Sequence, residues 1–165
     1  MAAEHGHDEV VKTLVDREEV NSDKPDYRDR TPLSWAALKG HKGVVKILLG
    51  REDVDPDRQS DYGLTPLAYA AWGGHEGVVK ILLEREEVNP DKPDNEGRTP
   101  LGYAACDGHE GVVDILLRRK EVNPEEQDNA GRTPLSYAAE YGHEAVVKIL
   151  LGREEVNPDN PDHEG

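Results

Sequence analysis

Residues 64–83 read Leu-Thr-Pro-Leu-Ala-Tyr-Ala-Ala-Trp-Gly-Gly-His-Glu-Gly-Val-Val-Lys-Ile-Leu-Leu, and the unit closes on Glu87-Val88-Asn89. The same pattern one unit earlier shows what it builds. Thr31 can cap a helix N-terminus, and Pro32 suits the first helical position, where a missing N–H costs nothing. Ala36 and Ala37 favour helix. Gly40 supplies a left-handed stop after about two turns. His41 opens a second helix, in which Val44, Val45, Ile47, Leu48 and Leu49 form an apolar stripe with Lys46 outside it. A stretch such as Asn89-Pro-Asp-Lys-Pro-Asp-Asn-Glu-Gly97 then follows, which is turn chemistry. Each unit therefore reads as helix, tight turn, helix, extended loop with a β-turn.

Working outward, Thr-Pro-Leu recurs at 31–33, 65–67, 99–101 and 133–135, always 34 residues apart. Gly-His at 6–7, 40–41, 74–75, 108–109 and 142–143 keeps the same period, as does the Val-Val pair that follows it. A fixed period in this range signals a repeat architecture. The expected organisation is a single domain over 1–165. It has a partial first unit at about 1–29, full units at 30–63, 64–97 and 98–131, and a last unit at 132–165 without a C-terminal cap.

The quoted motif resembles the ankyrin repeat, and the resemblance runs through nearly the whole chain. Tetratricopeptide repeats share a similar period but lack a Thr-Pro-Leu helix start and a long Pro/Asp loop in every unit. The resemblance implies an all-α solenoid of stacked helix-turn-helix units with β-turn loops. Two features depart from the family pattern. The period is one residue longer than usual. The His that the family places after Thr-Pro-Leu is replaced by Ser34, Ala68, Gly102 and Ser136, so the usual bonds between neighbouring turns are not expected from that position. The 34-residue variant is similar to long arrays of filamentous fungi, which often follow nucleotide-binding regulatory domains.

Charged residues make up 33% of the chain and hydrophobic ones 35%, with no Phe. That suits a thin core repeated along one axis, since each unit touches only its neighbours. The net charge of −15, from 20 basic and 35 acidic residues, argues against nucleic acid and anionic membranes as partners. No apolar run approaches the roughly 20 residues that span a bilayer. A single cysteine, Cys106, precludes an internal disulfide framework and fits a reducing intracellular compartment, cytoplasmic or nuclear.

Candidate chemistry is sparse. His7, His41, His75, His109 and His143 recur at the repeat period. Zinc needs ligands at about 2.0–2.1 Å, whereas packed helices lie about 8–10 Å apart, so one His per layer builds no metal site. Asp53, Asp55 and Asp57 mimic the start of a calcium loop, but Arg58 stands where that loop requires Gly. Cys106 has no base and orienting group marked beside it. Arg118-Arg119-Lys120 reads as a solvated surface. No phosphate-binding glycine loop occurs. Neither a catalytic residue nor a cofactor or metal is expected.

By the resemblance, a partner protein is held on the β-turn tips and the exposed, concave face of the first helices. The matching positions of most interest are Arg30, Leu38, Tyr62, Leu64, Trp72, Arg98, Cys106, Arg132 and Tyr141. Trp35, Tyr69, Tyr103 and Tyr137 recur in every unit and are expected to pack between units. Leu64 interrupts an Arg30, Arg98, Arg132 series, while Tyr62 and Trp72 add aromatic surface, the side-chain type that dominates interface hot spots. Free arginines there would favour an acidic partner segment. The function implied is a protein-interaction scaffold; the alternative is a regulatory or sensor array within a larger signalling or nucleotide-binding protein. Val146, Val147, Ile149, Leu150 and Leu151 keep the interior pattern in the last unit. A monomer, or weak end-to-end association through that uncapped face, is expected.

Overall fold

The structure is a computed structural model that describes residues 2–17 and 19–157; the tail whose Gly165 matches Gly131 lies outside the described residues. Among these, nine helices and no strands occur. An outer helix α1 (Asp8–Val15) comes first. Four pairs follow: α2 (Pro32–Leu38) with α3 (Lys42–Leu49), α4 (Pro66–Trp72) with α5 (Glu76–Leu83), α6 (Pro100–Cys106) with α7 (Glu110–Leu116), and α8 (Pro134–Glu140) with α9 (Glu144–Leu151). Inner helices stack as α2, α4, α6, α8 and outer helices as α1, α3, α5, α7, α9. The chain is an all-α solenoid.

Local chemistry sets every inner-helix start. The hydroxyls of Thr31, Thr65, Thr99 and Thr133 accept from the backbone N–H of Ser34, Ala68, Gly102 and Ser136, and Pro occupies the first turn each time. Each inner helix stops at a glycine of positive φ, Gly40, Gly74, Gly108 or Gly142, at 70–76°. The core is one continuous strip. Leu33, Val44, Val45, Leu48 and their counterparts in the next two pairs are fully or almost fully buried.

The periodic histidines are structural fasteners. His41, His75, His109 and His143 place Nε2 at 2.9–3.0 Å from the carbonyls of Glu4, Leu38, Trp72 and Cys106 in the preceding unit. Each ring lies on the preceding unit's stop glycine, where a Cβ at Gly6, Gly40, Gly74 or Gly108 would come within 2.4–2.7 Å of it. At Gly142 a Cβ would meet nothing within 4 Å. Leu151 is correspondingly 48% exposed, against 9% for Leu117. Val10 and Leu14 are exposed at the other end.

The turns are tied together despite the missing histidines, and this corrects the expectation drawn from that position. The backbone N–H groups of Asp61, Asn95 and Asn129 donate to the carbonyls of Arg28, Tyr62 and Glu96, at 2.8–3.1 Å. The side-chain amides of Asn95 and Asn129 add bonds to the Asp61 and Asn95 carbonyls. Backbone pairing and asparagine do the work that the family gives to the missing His.

Candidate partner-binding groove

The inner wall of the solenoid is built on a turn carboxylate. Asp26 accepts from the backbone N–H of Arg28 and Arg30 through Oδ1, closing the turn. Its Oδ2 accepts from the Arg30 guanidinium and from the Trp35 indole, at 3.0 and 3.1 Å. Asp128 repeats the arrangement with Ala130, Arg132 and the Tyr137 hydroxyl. Burial alone would raise the Asp26 carboxyl, but these amide, guanidinium and indole donors outweigh it and hold the group at about 2. Burial likewise pushes the Tyr137 hydroxyl up, and its bond to the Asp128 carboxylate adds to the shift.

These pairs redefine the arginine series. Arg30 and Arg132 are ion-paired with Asp26 and Asp128 at 2.9 Å. Arg30 also lies over the Trp35 ring, 4.1 Å from its centroid. Arg98 sits between the Tyr103 and Tyr137 rings, 4.9 and 4.5 Å from their centroids. The guanidinium groups are engaged inside the fold, which removes the ground for expecting an acidic partner segment at this series. The recurring aromatics are the anchors for these contacts.

Five of the nine candidate positions come together. Arg30, Leu38, Tyr62, Leu64 and Trp72 line one groove of about 430 Å³, with Asp94, Glu96 and Tyr103 on its far wall. Tyr62 and Trp72 are 54% and 43% exposed, but Leu64 is only 5% exposed and belongs to the core. Leu64 therefore forms the groove floor rather than a protruding contact. Trp72 lies between the Tyr69 and Tyr103 rings, with centroids 6.5 and 5.8 Å away. It is both packed and presented.

Arg98, Cys106, Arg132 and Tyr141 do not line this groove. Tyr141 is exposed and Cys106 half-buried. Burial raises the Cys106 thiol, with Asp107 and Glu140 adding to the shift against Arg98. A thiol raised in this way is a poor nucleophile. Asp53, Asp55 and Asp57 also resolve: Asp53 pairs with Arg51, Asp57 with Lys92, and Asp55 accepts from the Asp57 backbone N–H. Among the described residues no group of three or more His, Cys, Asp or Glu is placed to hold a metal ion, and no helix is long and apolar enough to cross a membrane.

The residues missed from sequence are Asp26, Ser60, Asp94 and Asp128. Each sits nine positions before Trp35, Tyr69, Tyr103 or Tyr137 and accepts from that side chain. Their period was visible, but it lay inside loops already rich in aspartate.

Among known proteins, no curated protein matches the chain. A family profile described as ankyrin repeats (3 copies) matches residues 1–94 and 86–162. With capped helix pairs, β-turn loops and an inner groove all in place, the chain belongs to the ankyrin repeat family.

Proposed function

We propose that this chain holds a partner protein on its concave face, centred on the Tyr62–Trp72 groove. Ankyrin repeats are generally protein–protein interaction modules and typically non-catalytic. What carries the reading here is a pair of half-exposed aromatic side chains over an apolar floor. Large, partly exposed rings beside a pocket are the side chains that concentrate binding energy. The remaining candidates, Cys106 and Tyr141, extend the surface toward the C-terminal units, and the divisions at 30–63, 64–97, 98–131 and 132–165 are taken as those units. The open face at Val147 and Leu151 supports weak end-to-end association as a secondary property.

The test is quantitative affinity capture with wild type and the Tyr62→Ala/Trp72→Ala variant, both checked for native circular dichroism. A partner captured by wild type and lost at least tenfold in the variant supports the groove (about 1.4 kcal/mol per factor of ten). Equal capture by the folded variant places binding elsewhere.

A further inference from the structure

Three of the four inner-wall positions before Thr carry arginine, and each guanidinium lies on aromatic rings. Arg30 lies over Trp35, Arg132 over Tyr137, and Arg98 between Tyr103 and Tyr137. At the fourth position the cation is missing, because Leu64 stands there. Its carboxylate partner is missing too, because Ser60 replaces aspartate and serves only the Tyr69 hydroxyl. The Trp72 ring lies there instead, between the Tyr69 and Tyr103 rings.

A carboxylate is left over beside this slot. Asp94 closes its turn through Oδ1, which accepts from Glu96 and Arg98 backbone N–H groups, and its Oδ2 accepts from Tyr103. At Asp128 the matching Oδ2 takes a guanidinium as well as the tyrosine. Among the described residues Asp94 has no such ion pair. The reason lies in Gly102. A Cβ there would meet the Arg98 Cγ at 3.0 Å, so the bare glycine lets the Arg98 stem lean across the helix toward Tyr137. Ser34 and Ser136 occupy the same place beside Arg30 and Arg132, which pair with their aspartates.

We propose that the groove beside Trp72 and Asp94 is a seat for an arginine side chain of the partner. This rests on the groove reading above. A guanidinium there would contact the exposed part of the Trp72 side chain and donate to the spare capacity of Asp94 with Glu96 beside it. Among the described residues the cations lining the groove are Arg28 and Arg30. Arg30 is neutralised by Asp26, and Arg28 lies over Tyr27 and Tyr62 at 5.4 and 5.9 Å. Toward the C-terminal units the exposed groups are Glu96, Asp107 and Glu140, which extend the preference for a basic segment.

The experiment titrates N-acetyl-arginine methylamide and its neutral isostere N-acetyl-citrulline methylamide, following the indole N–H resonances of Trp72 and Trp35. The expected result is a saturable shift of the Trp72 signal by the arginine probe. The citrulline probe should be weaker by about tenfold, the worth of one hydrogen bond to a charged group. The response should fall in Asp94→Asn. It should also fall in Glu96→Gln, which removes the exposed carboxylate beside Asp94. Equal response to both probes, no response, or an unchanged response in these folded variants overturns the arginine seat.

Selection of random displayed peptides on the protein separates this from the groove reading. Peptides that need Trp72 and are enriched in arginine support both. Peptides that need Trp72 but show no arginine enrichment overturn the seat and leave the groove. Peptides that bind Trp72→Ala as well as wild type overturn the groove itself.

Discussion

Glu126→Lys is expected to stabilise this protein by about 1–2 kcal/mol, because it repairs a broken rung in the loops between units. Arg58 pairs with Asp23 of the preceding unit at 3.1 Å, and Lys92 pairs with Asp57 at 3.0 Å. The next rung would join position 126 to Asp91, but position 126 is glutamate. Asp91 accepts one bond from the Asn123 backbone and has no cation; its Oδ1, like those of Asp23 and Asp57, is buried without a partner among the described residues. Burial raises the Asp91 carboxyl, and the Glu126 charge adds to the rise. A unit charge pair at about 4 Å in an effective dielectric of about 20 is worth roughly 4 kcal/mol before costs. Exposed pairs retain about 0.2–1 kcal/mol of that after screening and side-chain ordering. Here the desolvation of Asp91 is already incurred in the wild type, and Lys92 at the equivalent rung is only 31% exposed. The gain therefore lies above the exposed range. The bond from the Asn123 amide to Glu126, at 2.8 Å on an exposed loop, is lost and offsets a few tenths.

The assay is urea unfolding at pH 7 and near pH 4, with Glu86→Lys as a control of equal charge change. A group whose folded pKa is raised is most stably accommodated when protonated. The wild type thus loses stability at this rung as pH rises through the Asp91 value, and the lysine variant should gain more at pH 7 than near pH 4. For a domain of this size each kcal/mol moves the thermal midpoint by about 2–4 °C. The gain should vanish in an Asp91→Asn background. A gain that persists there, or matches that of Glu86→Lys, refutes the reasoning.

Other expectations follow from single breaks in the pattern. Asp29 has φ 52° where the equivalent turn residues Gly63, Gly97 and Gly131 have φ 81–82°, so Asp29→Gly should raise stability by about 0.5–1 kcal/mol in denaturant melts. Its ion pair with Arg58 is long, at 3.7 Å, and costs little to lose. His109→Ala strands the Trp72 carbonyl and opens space over Gly74, and should destabilise by about 1–3 kcal/mol by the same measurement. At acid pH the turn carboxylates Asp26 and Asp128 act opposite to Asp91. Their folded pKa values are lowered, so their stabilisation is present above about pH 4 and is lost on acidification, for Asp26 as pH falls through about 2. Asp26→Asn should flatten that limb of the stability–pH curve; an unchanged limb would show that the Asp26 pair carries none of it.

The helices were legible because each signal is local. A threonine cap, a proline at the first turn and a stop glycine lie within ten residues of one another, and the period confirms them four times over. Tyr62 and Trp72 were legible as breaks in that period. The state of Arg30 and Arg132 was not, because the aspartate that engages each lies four residues upstream in a loop where aspartate is common. Leu64 reads as a surface change for the same reason, because the rings and carboxylates that engage its arginine counterparts lie elsewhere in the sequence; in the fold it is 5% exposed.

That distinction bears on how this solenoid diversifies. A residue that keeps the period is held by contacts on both sides, as His75 is held by Gly40 and the Leu38 carbonyl. A single substitution in such a position leaves its former partners unsatisfied, as Glu126 leaves Asp91. Unsatisfied charge costs stability when it is buried and confers binding when it faces a groove. Asp91 and Asp94 are three residues apart and fall on the two sides of that line. Asp91 sits in the loop between units, where only Asn123 and Glu126 reach it. Asp94 lines a groove with aromatic walls. If the arginine probe binds at Asp94 while Glu126→Lys stabilises at Asp91, a carboxylate without a paired cation accounts for both a weakness in the fold and its specificity.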